Sequence, residues 1–177
     1  TRPPDLRVTA PPPGALVSGR RLALRGRGEP GALVRARWGR AGAQGRVGPD
    51  GAFSLQVPLV HGPGTLHWQA SDAAGNLTSG SLRLKCDQTP PTLSASFPEA
   101  PPEGPAGIIL KTASPTLRLV PADPDSGVRR VHLRVDGGPA RDVPLEEAGK
   151  PIEIRLPGLP EGLRRLEVTV RNGAGAD

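Results

Sequence analysis

Residues 66–76 read Leu66-His67-Trp68-Gln69-Ala70-Ser71-Asp72-Ala73-Ala74-Gly75-Asn76, and their grammar decides the fold. Leu66, Trp68 and Ala70 alternate with His67 and Gln69. That period of two turns one face toward a core and the other toward water, which is a strand and not a helix. The small residues and Asp72 and Asn76 that follow are turn formers. The same pattern returns one hundred residues on: Leu59, Gly62, Leu66, Trp68, Ala70, Asp72, Ala74 and Gly75 match Leu159, Gly162, Leu166, Val168, Val170, Asn172, Ala174 and Gly175. A repeat of this kind predicts two copies of one supersecondary plan.

Working outward, the first half offers further short alternations. Leu6 with Val8, Leu16 with Val17, Leu22 with Leu24, and Val34 with Ala36 and Trp38 precede the opening stretch. Phe53 with Leu55 and Val57, and then Leu82 with Leu84, complete the series. The turns 11–14, 29–31 and 49–51 separate them. The second half repeats this with Leu93, Ala95 and Phe97, then Leu117 and Leu119. Val131, Leu133 and Val135 come next, then Ile152, Ile154 and Leu156, and last Leu166, Val168 and Val170. No segment carries an apolar stripe of helical period. The fold class expected is all-β: two tandem immunoglobulin-like antiparallel β-sandwiches, residues 1–87 and 88–177. Asp87-Gln88-Thr89-Pro90-Pro91 forms the joint, where the prolines stiffen the chain and donate no ladder hydrogen bonds. The closing strand read at Ser81–Cys86 in the first copy has no counterpart before Asp177. The second sandwich is therefore expected to lack its final strand, whether cut, disordered or supplied by another chain.

Composition agrees with thin β-layers. The 177 residues include 24 Gly and 23 Pro, which fall between the alternations as turns. Trp38, Trp68, Phe53 and Phe97 are the only aromatic residues, so the cores must be built from Val, Leu, Ile and Ala. Both tryptophans fall on inward positions and read as core rather than as a sugar-stacking platform. Cys86 is the single cysteine, which excludes an intrachain disulfide. No apolar run approaches the roughly 20 residues needed to span a bilayer. The chain starts at Thr1 and not at Met, so it reads as a fragment or a processed product.

The turns resemble a known group. Ala10-Pro11-Pro12-Pro13-Gly14-Ala15-Leu16-Val17, Leu24-Arg25-Gly26, Pro30-Gly31-Ala32-Leu33-Val34, Asp50-Gly51-Ala52-Phe53-Ser54 and Asp72-Ala73-Ala74-Gly75-Asn76 look like bacterial Ig-like domains of the type named after domain B of glucodextranase. The joint at 87–91 and Asp123-Pro124-Asp125-Ser126-Gly127-Val128 resemble the joints and turns of tandem bacterial Ig-like arrays. The resemblance implies a spacer, stalk or accessory segment of a secreted, periplasmic or cell-surface protein. It supplies no catalytic residues, and a fold of this kind leaves function open.

No catalytic constellation is visible. His61 lies in a turn, and His67 and His132 occupy outward strand positions; none has metal-ligand spacing. Ser54, Ser71 and Ser126 lie outside any Gly-x-Ser-x-Gly elbow. Asp72, Asp87, Asp123 and Asp125 are candidate oxygen ligands for Ca²⁺ near turns and the joint, although Asp is also the ordinary residue of tight turns.

Charge gives the sharpest functional expectation. The net charge is +6, and residues 1–87 carry twelve Lys and Arg against five Asp and Glu, while 88–177 carry eleven against twelve. In an immunoglobulin-like sandwich the third, sixth and seventh strands share a sheet. Outward residues there include Arg35, Arg37, His67, Arg83 and Lys85, with Arg40 and Arg46 nearby. That strip is the expected contact surface for an acidic protein partner or neighbouring domain of an envelope assembly. The alternative is an accessory module for carbohydrate or another anionic envelope polymer, which calls for exposed aromatics that this chain almost lacks. Nucleic acid is disfavoured for the same reason, because bases need outward rings to stack on.

Overall fold

Alternating apolar residues cannot bury their faces singly, so the strands collect into sheets and the sheets pack in pairs. The computed structural model describes residues 2–100, 108–145 and 150–175. Among these the chain forms strands and no helix. It divides into two compact units, Thr1–Gln88 and Thr89–Asp177.

The first unit holds β1 (Leu6–Ala10), β2 (Leu16–Val17), β3 (Arg21–Gly28), β4 (Leu33–Trp38), β5 (Ala41–Arg46), β6 (Ala52–Pro58), β7 (Gly62–Ser71) and β8 (Leu77–Cys86). One sheet has the order β1-β3-β6 and the other β2-β8-β7-β4-β5. Two sheets in this order make an immunoglobulin-like sandwich. Every contact within them is antiparallel except that of β2 with β8, where Leu16 lies beside Lys85 and Val17 beside Cys86 in parallel. Between the sheets Leu24, Val34, Val57 and Leu66 are wholly buried.

The two tryptophans fit because glycines face them. A β-carbon on Gly64 would stand 2.6 Å from Cζ2 of Trp38, and one on Gly80 would overlap the ring of Trp68, its cross-strand neighbour. Each indole thus occupies space where a side chain would otherwise be. Both rings pack with the core, as their inward positions predict, although Trp68 is only half-buried.

The second unit holds β9 (Thr92–Ser96), β10 (Thr116–Ala122), β11 (Val128–Val135), β12 (Arg141–Val143), β13 (Ile152–Arg155) and β14 (Leu166–Asn172). Its sheets have the orders β13-β10-β9 and β12-β11-β14. Val131, Leu133 and Leu119 are its wholly buried centre. Registers match those of the first unit: Val131, Leu133 and Val135 face Val170, Val168 and Leu166, as Val34, Ala36 and Trp38 face Ala70, Trp68 and Leu66. Among the described residues no strand follows β14.

The structure adds two strands that the apolar pattern does not show. β5 reads Ala-Gly-Ala-Gln-Gly-Arg and β12 reads Arg-Asp-Val. Both are edge strands held by backbone pairing to β4 and β11. An edge strand needs little apolar surface, and so leaves a weak mark in sequence.

Candidate functional site

The outer face of the first unit's larger sheet gathers the residues that charge singled out. Arg35 and Arg37 stand on β4, opposite Gln69 and His67 on β7, which in turn stand opposite Ser79 and Ser81 on β8. These six side chains lie on one face because paired residues in an antiparallel sheet project to the same side. They line a shallow depression of about 670 Å³, with Ala36, Trp68 and Gly80 between them. On its β8 side the side chains are small, with Ser79 and Ser81 across from Gln69 and His67. Gln69, Ser79 and Ser81 are its polar, uncharged part, and the serines had no signal in the sequence beyond small size.

The remaining basic residues take separate places. Arg83 faces Thr65 and Lys85 faces Pro63, farther along β8. Arg40 lies in the turn between β4 and β5. Arg46 lies toward the other end of β5, where its Nη1 donates 2.8 Å to the Gly31 carbonyl. The structure therefore brings Arg35, Arg37 and His67 together and sets Arg40, Arg46, Arg83 and Lys85 around them.

All five carboxylates of this half stand outside its strands. Asp5 precedes β1, Glu29 follows β3, Asp50 lies between β5 and β6, Asp72 follows β7 and Asp87 follows β8. Among the described residues neither Arg35 nor Arg37 is in an ion pair. Arg35 Nε instead donates to the neutral Gln44 Oε1 at 3.3 Å. The matching face of the second unit is compensated. There His132 Nδ1 lies 2.8 Å from Asp142, Arg130 lies 4.0 Å from the same carboxylate, and Arg134 and Arg165 lie 3.8 and 3.0 Å from Glu167.

The aspartates have structural partners of their own. Asp72 Oδ1 accepts the Asn76 N–H at 2.8 Å and Oδ2 the Asn76 amide at 2.6 Å. The Asn76 side chain foremost, with the turn's N–H groups, holds the Asp72 carboxyl below the ordinary carboxylate range. Asp123 Oδ1 accepts the N–H groups of Asp125, Ser126 and Gly127 at 3.0, 2.7 and 3.2 Å, and Oδ2 accepts Asn172 Nδ2 at 3.0 Å. Burial pushes the Asp123 carboxyl up. The N–H of Ser126, the Asn172 amide and the N–H groups of Asp125 and Gly127 outweigh it and hold the group low. Asn172 is itself buried and also donates to the Thr89 carbonyl. Asp87 is wholly buried. His61 Nδ1 accepts the Gln88 N–H at 3.2 Å and lies 3.8 Å from Asp87 Oδ1. Ser54 is exposed on β6, Ser71 ends β7, and Ser126 caps the Asp123 turn.

No family model matches the chain, and neither does any curated protein. Some solved structures show a partial likeness to the chain. The fibronectin(III)-like modules of Clostridium thermocellum CbhA are 14% identical with a TM-score of 0.46, over 97% of this chain and 88% of that one. Dimeric latent PorU from Porphyromonas gingivalis is 13% identical with a TM-score of 0.36, over 98% of this chain and 19% of that one. A Ca²⁺-stabilized adhesin with which an Antarctic bacterium reaches out and binds ice is 14% identical with a TM-score of 0.35, over 90% of this chain and 38% of that one. The sandwich architecture follows from this chain's own strand orders and registers.

Proposed function

We propose that this chain is a non-catalytic structural and interaction segment of a bacterial extracytoplasmic protein, and that its first unit docks an acidic protein surface. One observation carries the reading. The outer face of β4, β7 and β8 concentrates Arg35 and Arg37 around a depression with no carboxylate on its strands, whereas on the same face of the second unit Arg130, Arg134 and Arg165 are paired with Asp142 and Glu167. Like charges left together without counter-charges favour an anionic partner and speed its encounter. The extracytoplasmic setting is supported by the resemblance of the turns to bacterial Ig-like arrays.

The experiment is binding of the whole chain to poly-glutamate, followed across salt concentrations. Arg35→Glu with Arg37→Glu should weaken binding by roughly tenfold or more, since close charge pairs at interfaces couple by more than 1 kcal/mol. Its thermal unfolding should stay close to that of the parent, because both side chains are exposed. Unchanged binding in a folded variant would sink the reading.

A further inference from the structure

The depression on the outer face of the first unit has two unlike sides. β4 supplies Arg35 and Arg37, β7 supplies Gln69 and His67 in the middle, and β8 supplies Ser79 and Ser81. Register sorts them into two rows, Arg35–Gln69–Ser79 and Arg37–His67–Ser81. Each row runs from a guanidinium to a hydroxyl. β4 and β8 are two strand spacings apart, about 10 Å, and the rows are two residues apart, about 7 Å.

The neighbouring strand β5 backs the arginine side. Arg35 Nε donates to Gln44 Oε1 at 3.3 Å. Gly42 stands opposite Arg37, and a β-carbon there would lie 3.2 Å from Arg37 Cγ. Both arginine stems are thus steadied by residues that carry no charge. A seated group therefore meets cations along the β4 side and small hydroxyls along the β8 side. An extended chain has a matching asymmetry. Its successive side chains point to opposite sides, and alternate ones recur every 7 Å or so, the pitch of Arg35 and Arg37. A helix is about 10–12 Å across with its side chains, too wide to settle between the two sides.

Resting on the acidic docking proposed above, we infer that the occupant is an extended segment of the partner polypeptide in which acidic and small polar residues alternate. The segment lies along the strand direction. Two carboxylates, two residues apart, face Arg35 and Arg37, where each meets a guanidinium fork. The small residues between and beside them face Ser79 and Ser81. What the face reads is therefore the spacing of the acidic residues as well as their number.

The test uses the full chain and two capped, fluorescently labelled peptides of one composition and charge. One repeats Glu-Ser, and the other repeats Glu-Glu-Ser-Ser, which never sets two carboxylates two residues apart. Binding is read by anisotropy at low salt, with poly-glutamate alongside. The alternating peptide should bind about tenfold more tightly than the blocked one. Arg37→Gln should cut that advantage to about twofold or less, because one cation cannot read a spacing. Ser79→Gln with Ser81→Gln fills the low side and should weaken the alternating peptide by about fivefold. Unfolding should stay near that of the parent, since both serines are exposed. Equal binding of the two peptides, with poly-glutamate still bound, would overturn this inference and leave acidic docking standing. So would an advantage that survives Arg37→Gln, helix formation by the bound peptide in circular dichroism, or tighter binding of polygalacturonate. Loss of poly-glutamate binding as well would overturn both readings.

Discussion

His132 on β11 and Asp142 on β12 stand opposite each other with Nδ1 and Oδ1 2.8 Å apart, and the first unit puts Arg35 and Gln44 in the same two places. The sandwich plan is shared, but the counter-charge is not. Arg35 faces a neutral amide, whereas Asp142 sets a carboxylate beside both His132 and Arg130. The difference between a face with uncompensated arginines and one with counter-charges therefore comes down to residues that the fold itself tolerates either way.

Gln44→Glu tests this directly. It places a carboxylate opposite Arg35, where the neutral amide now accepts its hydrogen bond. Binding to poly-glutamate should fall by about threefold, and the salt dependence should flatten, because one cation is compensated. Stability should change by no more than about 1 kcal/mol, as for exposed cross-strand pairs. Titrations at two salt concentrations, with thermal unfolding alongside, check both parts.

Removing Asp142 and Glu167 from the second unit is the reciprocal experiment. Asp142→Asn with Glu167→Gln frees Arg130, Arg134 and Arg165 from their partners. The chain should gain affinity for poly-glutamate at low salt, with the added binding lost as salt rises. An unchanged affinity would mean that the depression, and not uncompensated charge, governs the first unit's face.

The Asp123 carboxylate organises the turn before β11 and holds Asn172 on β14. Asp123→Ala leaves those donors without their acceptor and should cost about 1–3 kcal/mol. The carboxyl is held below its unfolded value of 3.8. Its contribution is therefore complete above that pH and is lost as pH falls through the lower, folded value. Chemical denaturation between pH 6 and about pH 2 should show a decline below about pH 4 that Asp123→Asn makes shallower.

Gly80 carries a packing prediction. Any β-carbon there overlaps the Trp68 ring, so Gly80→Ala forces the indole or the β7–β8 pairing to move. The expected cost is about 1–3 kcal/mol, the range for overpacking. Near-ultraviolet circular dichroism and tryptophan fluorescence should both change, whereas an exposed change such as Ser81→Ala should leave them alone.

Most of the sandwich is legible in the sequence because buried strands must alternate. Leu66, Trp68 and Ala70, or Val131, Leu133 and Val135, have no other reason for their spacing. β5 and β12 are illegible because an edge strand is held by backbone bonds that any residue can make. Of the candidate site, the parity of Arg35, Arg37 and His67 along their strands is enough to place them on one face. The depression was hidden, since it depends on which residues of β8 fall opposite, and register is a property of pairing. The role of Asn172 was hidden too: its match to Asp72 marked a turn, but its contact with Asp123 joins residues 49 apart in sequence.

The central claim is that the outer face of β4, β7 and β8 is where the first unit meets an acidic partner. Amide chemical-shift mapping of the isotope-labelled chain with poly-glutamate at low salt tests it most directly. The account predicts shifts centred on Arg35, Arg37, His67, Gln69, Ser79 and Ser81, which disappear in the Arg35→Glu, Arg37→Glu variant. Shifts centred instead on Arg7, Arg25 and Arg27 of the opposite sheet, or on the second unit, would contradict it.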